Sequence, residues 1–292
     1  MLSVLIPTYN YNAFFLVEKM HQQLILEKID FEIICFDDGS KSLLNTKNEE
    51  INTLSFAVFK SLENNIGRSA IRNLLAKKAT YKWLLFLDAD VIPSASNFIK
   101  KYVACFQQNN TVFCGGLLYE DKKENFNLLR YKYGKKHEEV SLENREKNPE
   151  KYFFTANFLI HKEVFNSVKF EEKLMQYGRE DLLFSLGLIK KGYKIKHINN
   201  EVFHLGIDNN ALFVSKTKKA MENLVFLENQ QLIDEKEISL LNLVKRIKTI
   251  KMTKLVGNLN ATFEKLAIKK SSVFFLNCMK VSYVCYLKSE HE

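Results

Sequence analysis

Leu84-Leu85-Phe86-Leu87 is an unbroken apolar run that ends on Asp88-Ala89-Asp90. Successive rather than alternating apolar positions predict a strand covered on both faces, as inside a mostly parallel sheet. Shorter runs of the same kind predict strands at Leu2 to Ile6, Phe31 to Phe36, Ser55 to Phe59 and Val112 to Tyr119. Between them the spacing turns helical. Leu16, Met20 and Leu24 predict a helix over 12–27, with Asn10 or Asn12 as its N-cap. Ile71, Leu74 and Leu75 predict a helix from Ile66 to Ala79, with Lys77-Lys78 at its negative end. Ile99, Tyr102, Val103 and Phe106 predict one over 94–108. This alternation of strands and helices predicts an α/β fold with a doubly wound, mostly parallel sheet flanked by helices.

Residues 120–151 are charged, Asn-rich and without clear period, and predict a mobile excursion over the sheet. Order returns at Phe153 to Ile160. A helix is predicted over 180–191, ended by Gly192, followed by short strands at Lys194 to Ile198 and Glu201 to Leu205. From about 211 the pattern is helical throughout. The chain therefore divides into an α/β domain, residues 1–210, and a helical, basic C-terminal region, residues 211–292.

The runs end on polar groups with chemical uses. In an extended chain Asp88 and Asp90 point to the same side, and two such carboxylates suit a hard divalent cation. The carboxyl end of a strand is also where open α/β sheets bind ligands. The local alternative is that both acids close a turn and cap the next helix. The second strand likewise ends in Asp37-Asp38-Gly39-Ser40, where turn formation is the competing use. Gly67-Arg68 opens a helix, with Arg72 one turn on, and both a helix N-terminus and arginine suit an anion. Glu180-Asp181 opens another helix, where capping alone would favour acids. His204 closes the last short strand.

Charge changes the picture in one region. The formal net charge is +9, yet 245–288 alone holds ten Lys or Arg and one acid, Glu264. The rest of the chain is balanced. A basic amphipathic helix there would suit an anionic membrane surface, and solvated lysines on a packed appendage are the alternative. No basic-aromatic pattern for nucleic acid appears. The five cysteines include no C-x-x-C pair and predict a reduced, cytoplasmic setting. The N-terminus has neither a basic region nor a long apolar core, and no run of 18 uncharged apolar residues occurs, so neither a signal peptide nor a membrane span is predicted.

Taken together, Val4-Leu-Ile-Pro-Thr-Tyr-Asn10, Phe36-Asp-Asp-Gly-Ser40, Asn65-Ile-Gly-Arg-Ser-Ala-Ile-Arg-Asn73, Leu87-Asp-Ala-Asp90, Tyr177-Gly-Arg-Glu-Asp181 and His204 resemble the inverting glycosyltransferases of family 2, with the GT-A fold. The resemblance covers residues 1 to roughly 207. It implies transfer of a sugar from a nucleotide-sugar donor, foremost a UDP-sugar, to a hydroxyl of a glycan or lipid-linked saccharide. It implies nucleotide contacts by Pro7, Thr8, Tyr9, Asp38, Arg68, Arg72 and Asp88. It implies Mn2+ or Mg2+ held by Asp88, Asp90 and His204, and Asp181, with Glu180 beside it, as the general base. Surface-glycan assembly would put the enzyme in the cytoplasm, in peripheral contact with the inner membrane face through 240–292. The chain departs from the family at Tyr177, often Trp there, and at Ser167-Val168-Lys169, often glycines. A dehydrogenase would want G-x-G-x-x-G after the first strand, and Pro7-Thr-Tyr-Asn10 is not that. The non-enzymatic alternative is a sugar-nucleotide-binding or scaffold protein with a basic tail.

Overall fold

A computed structural model describes residues 1–174, 177–233 and 238–289. The described residues fold into two compact units, one of Met1–Glu120, 137–174 and Glu180–Gly206, the other of Asp121–Lys136, 177–179, 207–233 and 238–289.

The first unit is built on a seven-stranded sheet. Its strands are β1 (Leu2–Thr8), β2 (Phe31–Asp37), β3 (Ala57–Ser61), β4 (Trp83–Leu87), β6 (Thr111–Cys114), β8 (Asn157–His161) and β9 (Lys194–His197), in the order β3-β2-β1-β4-β8-β6-β9. All pairs are parallel except those of β8, which runs antiparallel to β4 and β6. This is the α/β, mostly parallel sheet that the apolar runs predict. Leu84, Leu85, Phe86 and Leu87 are all 0% exposed, as a strand covered on both faces must be. One face packs on α1 (Phe14–Glu27) through Leu16, Val17, Met20 and Leu24. The other packs on α3 (Arg68–Lys78) through Ile71 and Leu75, and on a cluster of Phe86, Phe158, Phe165, Phe170 and Phe184. The N-cap of α1 is Ala13 rather than the expected Asn10 or Asn12, and Asn12, one residue earlier, accepts from the Phe14 amide at 3.0 Å.

Several boundaries differ from expectation. Phe56 has φ 59°, so the third strand starts at Ala57 rather than Ser55. Pro93 ends a strand of its own, β5 (Val91–Pro93), and the Ser94 amide bonds to Glu201 O; the next helix, α4, is therefore only Phe98–Val103. The strand expected over 112–119 is cut in two at Gly115-Gly116. A Cβ on Gly115 would meet the Asn200 carbonyl, and Gly116 has φ 89° against the Arg145 guanidinium. The continuation, β7 (Leu117–Leu118), leaves the large sheet for a three-stranded one, β5-β10-β7, with β10 at Val202–His204.

The structure corrects the excursion expected over 120–151. It contains two helices: α5 (Leu129–His137), nearly all of it part of the second unit, and α6 (Leu142–Lys147), part of the first. Arg145 on α6 is 1% exposed and donates to Val140 O, Ile198 O and Glu201 Oε1, the last at 2.9 Å. One buried cation fixes α6, and hydrophobic period gives no sign of it. Then α7 (Lys162–Val168) and α8 (Glu180–Lys190) complete the first unit.

The second unit is helical: α9 (Asn210–Asn229), α10 (Ser239–Thr249), α11 (Thr253–Gly257), α12 (Asn260–Lys270) and α13 (Val273–Ser289). Asn209 caps α9 by accepting from Leu212 N at 3.0 Å. Buried Val214, Leu224, Leu241, Val244, Ala267, Leu276 and Val284 line these helices. No helix among the described residues is long and apolar enough to cross a membrane.

Candidate active site

Parallel pairing brings the carboxyl ends of β1, β2 and β4 to one edge of the sheet. Thr8 pairs with Asp37, and the Asp38 amide donates to Thr8 O at 2.9 Å. Thr8 and Asp38, two of the residues read as nucleotide contacts, have side chains that are occupied locally. Thr8 Oγ1 donates to Tyr11 O at 3.2 Å. Asp38, 4% exposed, accepts from Ile66 N (2.8 Å) on one oxygen and from Gly67 N (3.0 Å) on the other. Burial raises the Asp38 pKa and these two amides oppose it, leaving it above the usual carboxylate value. Asp38 thus clamps the turn that starts α3. Its neighbour Asp37 takes Ser40, Asn45 and Ser61 on Oδ2, while its buried Oδ1 has no hydrogen-bond partner. Tyr9 is 58% exposed, beside half-buried Pro7.

From that clamped turn α3 projects Arg68 and Arg72. Arg72 is buried and donates to Asp88 Oδ1 at 2.5 Å, to Thr155 Oγ1 at 3.2 Å and to Arg68 O at 3.1 Å. Its guanidinium also lies 5.7 Å from the Phe170 ring centre. Burial pushes the Asp88 carboxyl up, but the charges of Arg72 and Arg68 outweigh it and hold the group below its ordinary value. Glu180, at the N-terminus of α8 and 5% exposed, reaches the same arginines: Oε1 is 3.4 Å from Arg68 and 3.8 Å from Arg72. Two carboxylates and two guanidiniums so form one partly buried, charge-balanced network. Asp181 is half-buried next to it, and its Oδ1 accepts from the Leu182 amide at 2.7 Å.

Asp90 and His204 meet through the small sheet. His204 pairs with Val91 across β5 and β10, and the Leu205 amide donates to Asp90 O at 2.7 Å. This sets His204 Nε2 3.5 Å from Asp90 Oδ2. The His204 ring stacks on Tyr119 at 5.6 Å, and its Nδ1 is buried without a hydrogen-bond partner. Among the described residues no group of three His, Cys, Asp or Glu forms a complete metal cage. Asp90 and His204 supply an oxygen and a nitrogen donor side by side, and Asp88 keeps one oxygen off Arg72.

The arrangement joins Arg68, Arg72, Asp88 and Glu180 directly, and Asp90 to His204. Sequence reasoning missed Thr155, Tyr11, Tyr119 and Gly206. Tyr11 has its phenol pKa raised by burial and by Asp90 nearby. Gly206 lies so close to the Asp90 carboxylate that a Cβ there would collide with it. None of the four has a spacing that marks it. A depression of about 520 Å³ lined by Gln108, Thr111, Tyr193 and Lys194 lies at the starts of β6 and β9, the opposite end of the sheet from these acids.

The sequence profile of glycosyl transferase family 2 matches residues 3–169, more than half the chain. The chain belongs to that family. As a family 2 glycosyltransferase it is similar to an uncharacterized glycosyltransferase of Methanocaldococcus jannaschii, 26% identical over 75% of both chains. It is also similar to chondroitin synthase of Pasteurella multocida, 25% identical over 65% of this chain but only 23% of that protein. Among solved structures, the mannosyltransferase PcManGT of Pyrobaculum calidifontis, in complex with GDP-Man and Mn2+, superposes with a TM-score of 0.55. It is 13% identical and covers 99% of this chain and 86% of that one. S. aureus TarS 1–349 in complex with UDP gives 0.52 at 15% identity, covering 100% and 92%. At such identities these two show the shared fold.

Proposed function

We propose that this family 2 glycosyltransferase is a metal-assisted, inverting enzyme that moves a sugar from a UDP-sugar to a hydroxyl of a glycan or lipid-linked saccharide. The observation that carries the reading is the network joining Arg72, Asp88 and Glu180 at the carboxyl end of β4, with Asp181 next in the chain. Solved structures of the same fold hold UDP, or GDP-Man with Mn2+, which supports a nucleotide-sugar and a divalent cation in general.

The donor set fits a cation. Mg2+ and its like bind through one or two carboxylates plus substrate phosphates and water rather than an all-protein cage, and Asp90 with His204 is a donor pair of that kind. When bound, Mn2+ or Mg2+ would neutralise charge on the departing diphosphate. The remaining work falls to the chain. Pro7, Thr8 and Tyr9 border the nucleoside, and Asp38 positions the turn that aims Arg68. Arg72 keeps Asp88 ionised and turned toward the donor. Asp181 takes the acceptor proton as the new C–O bond forms on the face opposite the breaking bond to the diphosphate, which inverts the anomeric carbon. Glu180 holds the two arginines and leaves the base role to its neighbour. A lipid-linked acceptor would bring the enzyme to the inner face of a membrane, with 240–292 against it.

Titration calorimetry with UDP, with and without Mn2+, tests this. Wild type should bind UDP more tightly with Mn2+, and Asp90→Ala should lose the difference. Metal-dependent binding with no UDP released from any donor in a panel of nucleotide sugars would leave a sugar-nucleotide-binding protein instead.

A further inference from the structure

The connection from α10 to α12 carries apolar side chains that the second unit does not bury. Ile250 is 63% exposed, Met252 40%, Leu255 61% and Leu259 42%. Lys251 breaks the course with φ 57°; beyond it Val256 N bonds to Met252 O and Asn258 N to Lys254 O, both at 3.0 Å, so the chain runs helically from Met252 to Leu259. Met252, Leu255 and Leu259, at i, i+3 and i+7, therefore share one face. Thr253 and Gly257 are the buried side of the same turn of helix, and Gly257 lies against the α13 backbone, where a Cβ would meet Tyr286 at 3.0 Å. On α10 the arrangement repeats. Leu241 and Val244 are buried, while Leu243 (45% exposed) and Ile250, seven apart, face outward. Packing uses one apolar side of each helix, and the second apolar side is left over.

Exposed Arg246, Lys251 and Lys254 lie among these residues. From 238 to 289 there are ten Lys or Arg and a single acid, Glu264, which is ion-paired with Lys218 at 2.9 Å. A second copy of the chain would bring like charge against like charge, and nucleic acid would leave the apolar side chains unused. A short apolar ridge among cations matches a surface whose charge is negative and whose interior is apolar. We propose that Ile250, Met252, Leu255 and Leu259 insert among the headgroups of an anionic lipid bilayer, with Arg246, Lys251 and Lys254 on the phosphates. The contact is shallow and does not span. It rests on the membrane contact proposed above for 240–292 and names its residues; the donor chemistry is read separately by UDP calorimetry, so either can fail alone.

The test is co-sedimentation of the full chain with vesicles of phosphatidylcholine alone and of phosphatidylcholine mixed with phosphatidylglycerol. The mixed vesicles should retain the protein, the neutral ones should not, and added salt should weaken retention. Ile250→Glu with Leu255→Glu should cut the bound fraction about tenfold, and Lys251→Gln with Lys254→Gln by a similar factor. Circular dichroism should show both variants as helical as the parent. Failure to bind the mixed vesicles, equal binding to both, or full binding by a folded Ile250→Glu, Leu255→Glu variant would each overturn the proposal. So would a dimer, seen by light scattering, that the same variant splits while no vesicle binds.

Discussion

Arg72 and Asp88 meet in a 2.5 Å ion pair whose halves are unequally wet: the arginine side chain is 3% exposed and the aspartate 22%. The buried guanidinium thus delivers its charge to a carboxylate that still faces solvent. Arg72→Met should cost about 3 kcal/mol, because removing one partner leaves the other charge half-buried and unpaired. The Asp88 pKa is depressed in the folded protein, so the pair stabilises above the unfolded carboxylate value and the benefit is lost as pH falls through the folded one. The gap between wild type and Arg72→Met in urea unfolding should therefore narrow below about pH 4.

Glu180 and Asp181 adjoin in sequence and differ in surroundings, so their conservative variants should separate. Asp181→Asn should lower kcat by about 10²–10⁴ with UDP affinity nearly intact. Glu180→Gln loosens Arg68 and Arg72 and should chiefly raise the donor KM. A collapse of kcat in Glu180→Gln with unchanged UDP affinity would move the base role to Glu180.

Gly206→Ala places a methyl where the Asp90 carboxylate now lies. The side chain can swing away, so the fold should melt close to the parent temperature. The displaced carboxylate should weaken Mn2+-dependent UDP binding about tenfold, read by calorimetry. Equal affinity would mean that Asp90 is not the cation's ligand.

Asp38→Ala leaves the Ile66 and Gly67 amides without their acceptor. A loss of about 1–3 kcal/mol is expected, and UDP affinity should fall with it because α3 carries Arg68 and Arg72 from that turn. Thermal melting and UDP calorimetry on the one variant measure both. Full stability with weakened UDP binding would instead make Asp38 a direct nucleotide contact.

What was legible in the chain follows from burial on two faces. An apolar run such as Leu84 to Leu87 has few other stable placements, and the polar residues that end such runs come together once the strands lie parallel, as Thr8 and Asp37 do. The α/β sheet, most helices and the residues to inspect could be read that way. Period is silent on which distant residue a polar group will meet. Hence Arg145 was unread, although it ties α6 to the strand ends at Ile198 and Glu201, and so was the cut at Gly115-Gly116, where a carbonyl and a guanidinium occupy the space of side chains. Glu180 and Asp181 look equivalent in sequence. Only the approach of α8 to α3 decided that one meets two arginines while the other stays half-exposed. That choice rests on pairing a buried charge across more than a hundred residues, and no local pattern encodes it.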